Sequence, residues 1–226
     1  MPINQIYIKD VIVSRGNKLI LEGVNFTFNK GESYSVTGDS GSGKSSLIHC
    51  ISGFLRPISG NVYWDNVDIY RISDKKISEM RNRFVGFVHQ ESLLIKNATV
   101  LENTILSTVV GGGSLRKAKK RALDLLKEFE LGHLAYLNTN HLSGGEKHRI
   151  SIIRALLMEP SFVIADEPTG NLDKYNSEIV MEQLKVLKNN GSGIIVVTHD
   201  DMVARSMERA FEIKTKRTPS GVQNRL

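Results

Sequence analysis

Cysteine is nearly missing from this chain. A single residue, Cys50, among 226 excludes an internal disulfide and a cysteine metal cage, and its apolar setting makes it a small core residue. No stretch reaches the about 18 uninterrupted apolar residues of a membrane-spanning helix. Met1-Pro2-Ile3-Asn4-Gln5 also lacks the basic-then-apolar plan of a secretory leader, so the expected location is cytoplasmic. Aromatic residues make up only 7%, and neither an aromatic-rich sheet motif nor a helix-turn-helix pattern accompanies the basic residues. Thirty Lys and Arg against 24 Asp and Glu leave a net charge of +6, yet nucleic acid is not the expected partner. The excess lies in Arg116–Arg121 and Lys214–Arg217; the first reads as a solvated helix face and the second as a loose tail, with anionic lipid headgroups as the second reading. Internal repeats and low-complexity tracts are absent, and a hydrophobic content of 40% suits one buried core, divided at most into two lobes.

What the chain does contain is organised around Gly38-Asp39-Ser40-Gly41-Ser42-Gly43-Lys44-Ser45. Ser33–Thr37 before it can pair in a sheet, and Ser46–Ile51 after it holds no helix breaker, so the context is strand, loop, helix. Glycines let the backbone double back until successive N–H groups point inward, an anion nest at the positive end of a helix. Lys44 would reach the β- and γ-phosphates of a nucleotide, and the Ser45 hydroxyl would ligate Mg²⁺. A flexible Gly/Ser linker has no reason to place Gly-Lys-Ser at the mouth of a helix.

Along the chain, Gln5–Val13 and Val24–Phe28 alternate apolar and polar residues, as strands with one buried face do. Asn61–Trp64 followed by Asp65-Asn66 reads as a strand and tight turn. The first section is therefore rich in antiparallel strands. Phe84–Val88 is a short buried strand ending at His89-Gln90. From Thr99 to Val110 and from Leu115 to Phe129 the period turns helical, with Ala118, Ala122, Leu125, Leu126 and Phe129 on one face. Ser161–Ala165 and Gly193–Thr198 are continuous apolar runs, the pattern of parallel strands covered on both sides, separated by a helical stretch at Ser177–Leu187. Helices between buried strands imply right-handed crossovers. Ligands then sit beyond the carboxyl ends of the strands, where Gly38, Gln90, Asp166 and His199 would lie.

The chemistry at those ends is coherent. Asp166 is the expected Mg²⁺ partner of Ser45, and Gln90 offers an amide to the metal and to the attacking water. Glu167 is the natural general base for water attacking a γ-phosphate. His199 can donate to that phosphate and keep water and Glu167 in register. Any one of these residues has a bland reading as a strand-end donor or a solvated turn; four at the ends of apolar strands do not share one.

With the loop, Gln90, Asp166-Glu167, Asn171-Leu172-Asp173 and His199, the stretch Leu142-Ser143-Gly144-Gly145-Glu146 resembles, in that order, the ATP-binding subunits of ABC transporters. The resemblance spans nearly the whole chain and implies an α/β fold: a P-loop NTPase, RecA-like core with an antiparallel β subdomain and an inserted α-helical subdomain. The expected division is one domain, 1–226, with core and β subdomain in 1–90 and 160–226 and the helical subdomain with the signature turn in 91–159. It implies an ATPase using ATP and Mg²⁺, with Gly38, Asp39, Ser40, Gly41, Ser42, Gly43, Lys44, Ser45 and Ser46 on the nucleotide. It also implies a head-to-tail homodimer in which Ser143, Gly144 and Gly145 of one copy close on the γ-phosphate held by the other and Asp173 links the two sites. Gly86–Gln90, Ala165–Asp173 and Thr198–Asp200 look most like the lipoprotein-releasing and macrolide-exporter branch, whose relatives include cell-division ATPases. That implies a motor on the inner face of the cell membrane, driving an integral permease with an extracytoplasmic domain. Glu91–Val110 would form the groove for the permease's coupling helix, with Leu93, Leu94 and Ile95 either as contacts or as lobe core. The alternative is a soluble ABC ATPase of DNA repair or translation, but those carry coiled coils or paired cassettes for which this chain is too short. A switch that hardly hydrolyses would lack Glu167 or His199, and both are here.

Three features depart from the family pattern. No aromatic stands near Val13–Gly16 to stack on adenine, so either the planar Arg15 guanidinium stacks on the base instead or the base is only weakly recognised. Lys147-His148-Arg149 occupies a stretch where relatives usually carry glutamines, and His89 precedes Gln90 where a larger aromatic is common. Thr218–Leu226 reads as a mobile tail.

Overall fold

The computed structural model describes residues 2–16, 18–170 and 172–213, without the side chains of Arg15 and Lys18. The Arg15 stacking role, Asn171, Lys214–Arg217 and the tail at Thr218–Leu226 therefore lie outside what is described. The chain enters through β1 (Gln5–Arg15) and β2 (Lys18–Asn29), which pair antiparallel with Ile6 opposite Phe28 and Ile8 opposite Phe26. The alternation slips between Ile8 and Val11, where Asp10 has φ +49° and its backbone N–H bonds the Asn25 side chain at 3.0 Å. That bulge returns Val11 and Val13 to the buried face on which Ile6 and Ile8 lie.

β3 (Ser33–Thr37) runs into the glycine-rich loop and α1 (Lys44–Ile51). β4 (Ser59–Trp64) and the short β5 (Val67–Asp68) complete a four-stranded antiparallel sheet in the order β2-β1-β4-β5. Next comes α2 (Asp74–Phe84), a helix that the sequence reading did not anticipate, so Phe84 ends a helix and the strand β6 is Val85–Val88. Of its residues only Ile77 is buried, a stripe too thin to advertise a helix, although Ser73 caps it and Ile77, Met80 and Phe84 recur at i, i+3 and i+7.

The expected helical section contains α3 (Val100–Gly111), α4 (Leu115–Glu128) and α5 (Gly144–Leu156), with α3 packed on both others. The predicted face of α4, Ala118, Ala122, Leu125 and Leu126 continued by Phe129, is buried. Arg116, Lys117, Lys119 and Lys120 on its other side are exposed. The chain returns through β7 (Phe162–Asp166), α6 (Lys174–Asn189), β8 (Gly193–Val197), the short α7 (Asp201–Arg205) and β9 (Arg209–Glu212).

These strands form a five-stranded sheet in the order β6-β7-β8-β3-β9, every neighbouring pair parallel. Phe162 and Ile164 of β7, with Ile195 and Val197 of β8, pack with Leu47, Ile48 and Ile51 of α1. Val163, Ala165, Ile194 and Val196 face the other way, into a core shared with α3, α4, α5 and α6. Two covered faces explain why these strands read as unbroken apolar runs. The edge strand β9, Arg-Ala-Phe-Glu, is mostly exposed and was not legible.

Candidate active site

The glycine-rich loop leaves β3 and enters α1 through three glycines with positive φ, Gly38 (+141°), Gly41 (+75°) and Gly43 (+103°). No side chain caps α1 and no acid stands in its first turn, so its first amides and positive dipole end are available to an anion. Two glycines are required for space as well as for conformation. A Cβ on Gly38 would lie 2.5 Å from the Ile213 carbonyl oxygen, and one on Gly43 2.7 Å from the Ile20 side chain. Gly38→Ala is therefore expected to abolish nucleotide binding and lower Tm, since a strained non-glycine backbone alone costs ~1–3 kcal/mol. Binding of a fluorescent ATP analogue and a melting curve check this, and unchanged binding would contradict it.

Lys44 lies across the loop, its Nζ donating to the carbonyls of Gly38 at 2.8 Å and Asp39 at 2.9 Å. The Ser42 hydroxyl is buried inside the loop with no hydrogen-bond partner, while Asp39 and Ser40 are exposed at its tip and Ser46 is half-buried. The Ser45 side chain bonds the Asp166 carboxylate, which joins the first turn of α1 to the end of β7. Burial pushes the Asp166 carboxyl up, against the Ser45 hydrogen bond and the charges of His49 and Lys44.

Glu167 follows directly. It is 9% exposed and sits at φ +50°, a left-handed conformation unfavourable for a residue with a Cβ. Its backbone is held at both ends: its N–H donates to the Val197 carbonyl at 2.9 Å, and the Gly170 N–H donates to its own carbonyl at 3.1 Å. This aims the carboxylate at His199, two residues past β8, whose Nδ1 is 2.8 Å from Oε1. The Glu167 contact raises the His199 pKa, first through the hydrogen bond and then through charge. Beside the pair opens a cleft of about 650 Å³ lined by Glu167, Gly170, Leu172, His199 and Met202. Gln90 lies two residues past β6 on the same side of the sheet, with an exposed side chain.

Ser143 caps α5, whose first two residues are Gly144 and Gly145. Ser143 and Glu146 form a capping box: the Glu146 N–H donates to Ser143 Oγ at 3.3 Å, and Glu146 Oε2 accepts from the Ser143 N–H at 2.8 Å and from its hydroxyl at 2.7 Å. These bonds lower the Glu146 pKa. Ser143 and Gly144 are exposed, and a Cβ on Gly144 would meet nothing within 4 Å. Asp173, assigned to linking two sites, caps α6 here: Oδ1 accepts from the Asn176 N–H at 2.8 Å, which holds its carboxyl below the usual range. The structure thus gathers the phosphate loop, Ser45, Asp166, Glu167 and His199 at one end of the parallel sheet, and the Ser143 turn opens α5, where a Cβ on Gly145 would lie 3.6 Å from Leu172 of the cleft beside Glu167.

Residues 21–170 match the ABC transporter family. The chain belongs to that family. Among curated relatives, this ABC cassette is 39% identical over 216 residues to the lipoprotein-releasing system ATP-binding protein LolD of Leptospira interrogans, covering 95% of this chain and 91% of that one. LolD of Geobacter metallireducens is 37% identical over 195 residues, 86% of this chain and 87% of its own. Among solved structures, the dimeric structure of MJ0796, a bacterial ABC transporter cassette, superposes with a TM-score of 0.85 at 37% identity, covering 92% of this chain and 94% of that one. A dimeric post-hydrolysis state of that cassette bound to ADP and Pi gives 0.85 at 35% identity over 94% and 97% of the two chains. The ABC cassette described here is accordingly an ATPase, the ATP-consuming subunit of a transporter. Its P-loop fold and nucleotide chemistry are those expected from its motifs.

One residue of the site escaped the sequence reading. In sequence His148 only stands in place of a glutamine; in the structure its Nε2 lies 2.8 Å from the Pro168 carbonyl, one residue beyond Glu167. No local pattern joins positions 148 and 168.

Proposed function

We propose that this ABC cassette is the motor of a lipoprotein-releasing type of exporter, with Glu167 as its general base. The carboxylate would take a proton from water as the water oxygen bonds the γ-phosphorus and the bond to the ADP oxygen breaks. His199 would hold Glu167 in register and face the γ-phosphate. The 2.8 Å Glu167–His199 contact at the mouth of the phosphate loop is the observation that carries this reading. A carboxylate already oriented by a neighbour loses little on reaching the transition state.

Mg²⁺ fits the residues present. Asp166 and Ser45 offer one carboxylate and one hydroxyl in contact, and no group of three His, Cys, Asp or Glu able to hold a metal occurs among the described residues. Mg²⁺ favours such sparse sites, taking its remaining ligands from phosphate and water. When bound it would neutralise charge on the β- and γ-phosphates, with Gln90 as a further ligand.

A second copy would complete the site. Ser143, Gly144 and Gly145 of the partner subunit are suited to the γ-phosphate because they stand at a helix N-terminus, with Ser143 and Gly144 exposed. Asp173, near the cleft beside Glu167, would help link the two sites. The lobe would be residues 91–159, inserted in a core formed by 1–90 and the chain from 160 onward. The cassette would lie on the cytoplasmic face of the cell membrane, and among the described residues no helix is long and apolar enough to cross one.

The permease contact would be a cleft of about 360 Å³ lined by Phe54, Arg81, Phe87, His89, Val110 and Arg154. Its floor is aromatic: the Phe87 and His89 ring centroids are 4.5 Å apart, and the Arg81 guanidinium lies 4.3 Å from the centre of the Phe54 ring. Aromatic and arginine anchors in a pocket are what protein hot spots consist of. Of the three apolar residues assigned nearby, Leu93 and Ile95 are half exposed, at 53% and 49%, and suit a contact role. Leu94 packs against the core. Affinity purification of the tagged protein from detergent-solubilised native membranes, with mass spectrometry and an ATPase assay, tests the assignment. A stoichiometric multi-span protein with a large extracytoplasmic domain is the expected result. A soluble partner or nucleic acid in its place would overturn the exporter reading and leave the ATPase standing.

A further inference from the structure

We propose that His148 is a positioning residue for Glu167, carrying the orientation of α5 to the Glu167–Pro168 peptide; this rests on the reading of Glu167 as general base. His148 lies in the second turn of the helix that the Ser143 turn opens, and it is 1% exposed. Its Nε2 donates to the Pro168 carbonyl at 2.8 Å, while Nδ1 is buried with no partner. The carbonyl can only accept, which fixes the tautomer with the proton on Nε2. A bare ring nitrogen in the interior is costly, and an apolar side chain of similar size would fill the same space without it. The imidazole is therefore explained by its one bond and not by packing. Burial also holds its pKa below the usual histidine value, which keeps the ring neutral.

That bond falls where the backbone most needs holding. Glu167 has φ +50°. Its own N–H and carbonyl are tied to Val197 and Gly170, and the next carbonyl, that of Pro168, is tied by His148. Pro168 has no N–H to contribute. The first two ties belong to the strand and the turn; the third comes from the other lobe. The same helix is anchored elsewhere, by Arg149 Nη1 to the Phe129 carbonyl at 3.1 Å and by Arg154 Nη1 to the Leu93 carbonyl at 2.6 Å. A tilt of α5 as its N-terminus meets a phosphate would therefore pull on three points: the lobe, the segment after Gln90, and the peptide beyond the base. Of these, only the His148 contact falls on the residue next to the proposed base.

The test is steady-state ATP hydrolysis by His148→Leu and His148→Gln in the full chain, with ATP affinity and Tm measured alongside. His148→Leu should lower kcat about 10- to 100-fold, the range for a misplaced catalytic group, with ATP affinity unchanged. His148→Gln, whose amide N–H can reach the same carbonyl, should restore most of the rate. If His148→Leu does not fold, His148→Asn replaces it, since that amide is too short to reach Pro168. Wild-type kcat in the shortened or apolar variant, or a His148→Gln as slow as His148→Leu, overturns the proposal. In a Glu167→Gln background the His148 change should add no further loss, because residues acting as one unit are not additive; an additive loss overturns it as well. If Glu167→Gln itself keeps wild-type turnover, the base assignment has failed and the link with it. If Glu167→Gln is slow and His148→Leu is not, only the link has failed.

Discussion

Glu167→Gln is expected to slow ATP hydrolysis by at least about 100-fold, the scale of a lost general base, while ATP still binds. The substitution keeps the size and shape of the side chain at a site 9% exposed, and the amide oxygen can still accept from His199. What it removes is the ability to take a proton from water. Neither the phosphate loop nor Asp166 is touched, so binding should persist and an ATP-bridged dimer should accumulate. Steady-state phosphate release, ATP binding by calorimetry and size-exclusion chromatography with light scattering read the three consequences separately. Wild-type turnover would remove Glu167 from its role. A variant that fails to bind ATP would mean that the left-handed Glu167 backbone has a structural part that the amide cannot fill.

Lys44→Ala is expected to weaken ATP binding by about 10- to 100-fold, the equivalent of one lost hydrogen bond to a charged group. In the structure the ammonium is held by two carbonyls of its own loop, 2.8 and 2.9 Å away. That places a positive charge at the loop mouth before any phosphate arrives, and a phosphate oxygen can join without the side chain being recruited from solvent. If Lys44 serves the β- and γ-phosphates, as its place in the loop leads one to expect, the loss should be selective for ATP and ADP over AMP. Calorimetric titrations with the three nucleotides decide it. An equal loss for AMP would point to a collapsed loop, and an unchanged ATP affinity would sink the assignment of Lys44.

These two residues were legible because their chemistry is local. A glycine-rich loop states its own geometry within eight residues, and Asp166 and Glu167 are marked by the apolar run they end. The Ser143 turn was legible through the stretch Leu142–Glu146 that carries the family resemblance, and the structure adds the capping box between Ser143 and Glu146. Elements held by distant partners were not. α2 hides because a helix with one buried residue has almost no apolar stripe, and β9 because a four-residue edge strand takes its conformation from β3, far back in the chain. The His148–Pro168 bond joins α5 to the segment after β7, 20 residues on, so in sequence the histidine is only an exchange for glutamine with no contact to the site. The run Leu93-Leu94-Ile95 left contact and core open for another reason: three apolar residues in a row do not say which faces inward, and here Leu94 packs against the core while Leu93 and Ile95 are exposed.

The phosphate loop leans on the far end of the chain. Gly38 fits only because no Cβ meets the Ile213 carbonyl, and β3, which leads into the loop, pairs with β8 and β9 and with no earlier strand. During synthesis, then, Ser33–Thr37 leaves the ribosome long before either of its neighbours exists. Tyr34 can meet Phe26 and Phe28 of β2 early, at ring distances of 5.8 and 5.0 Å, but the backbone of β3 has no strand to pair with while the antiparallel sheet and the helices are made. The glycine-rich loop is thus translated early, while the strand that leads into it is fixed in a sheet only by β8 and β9, near the other end of the chain.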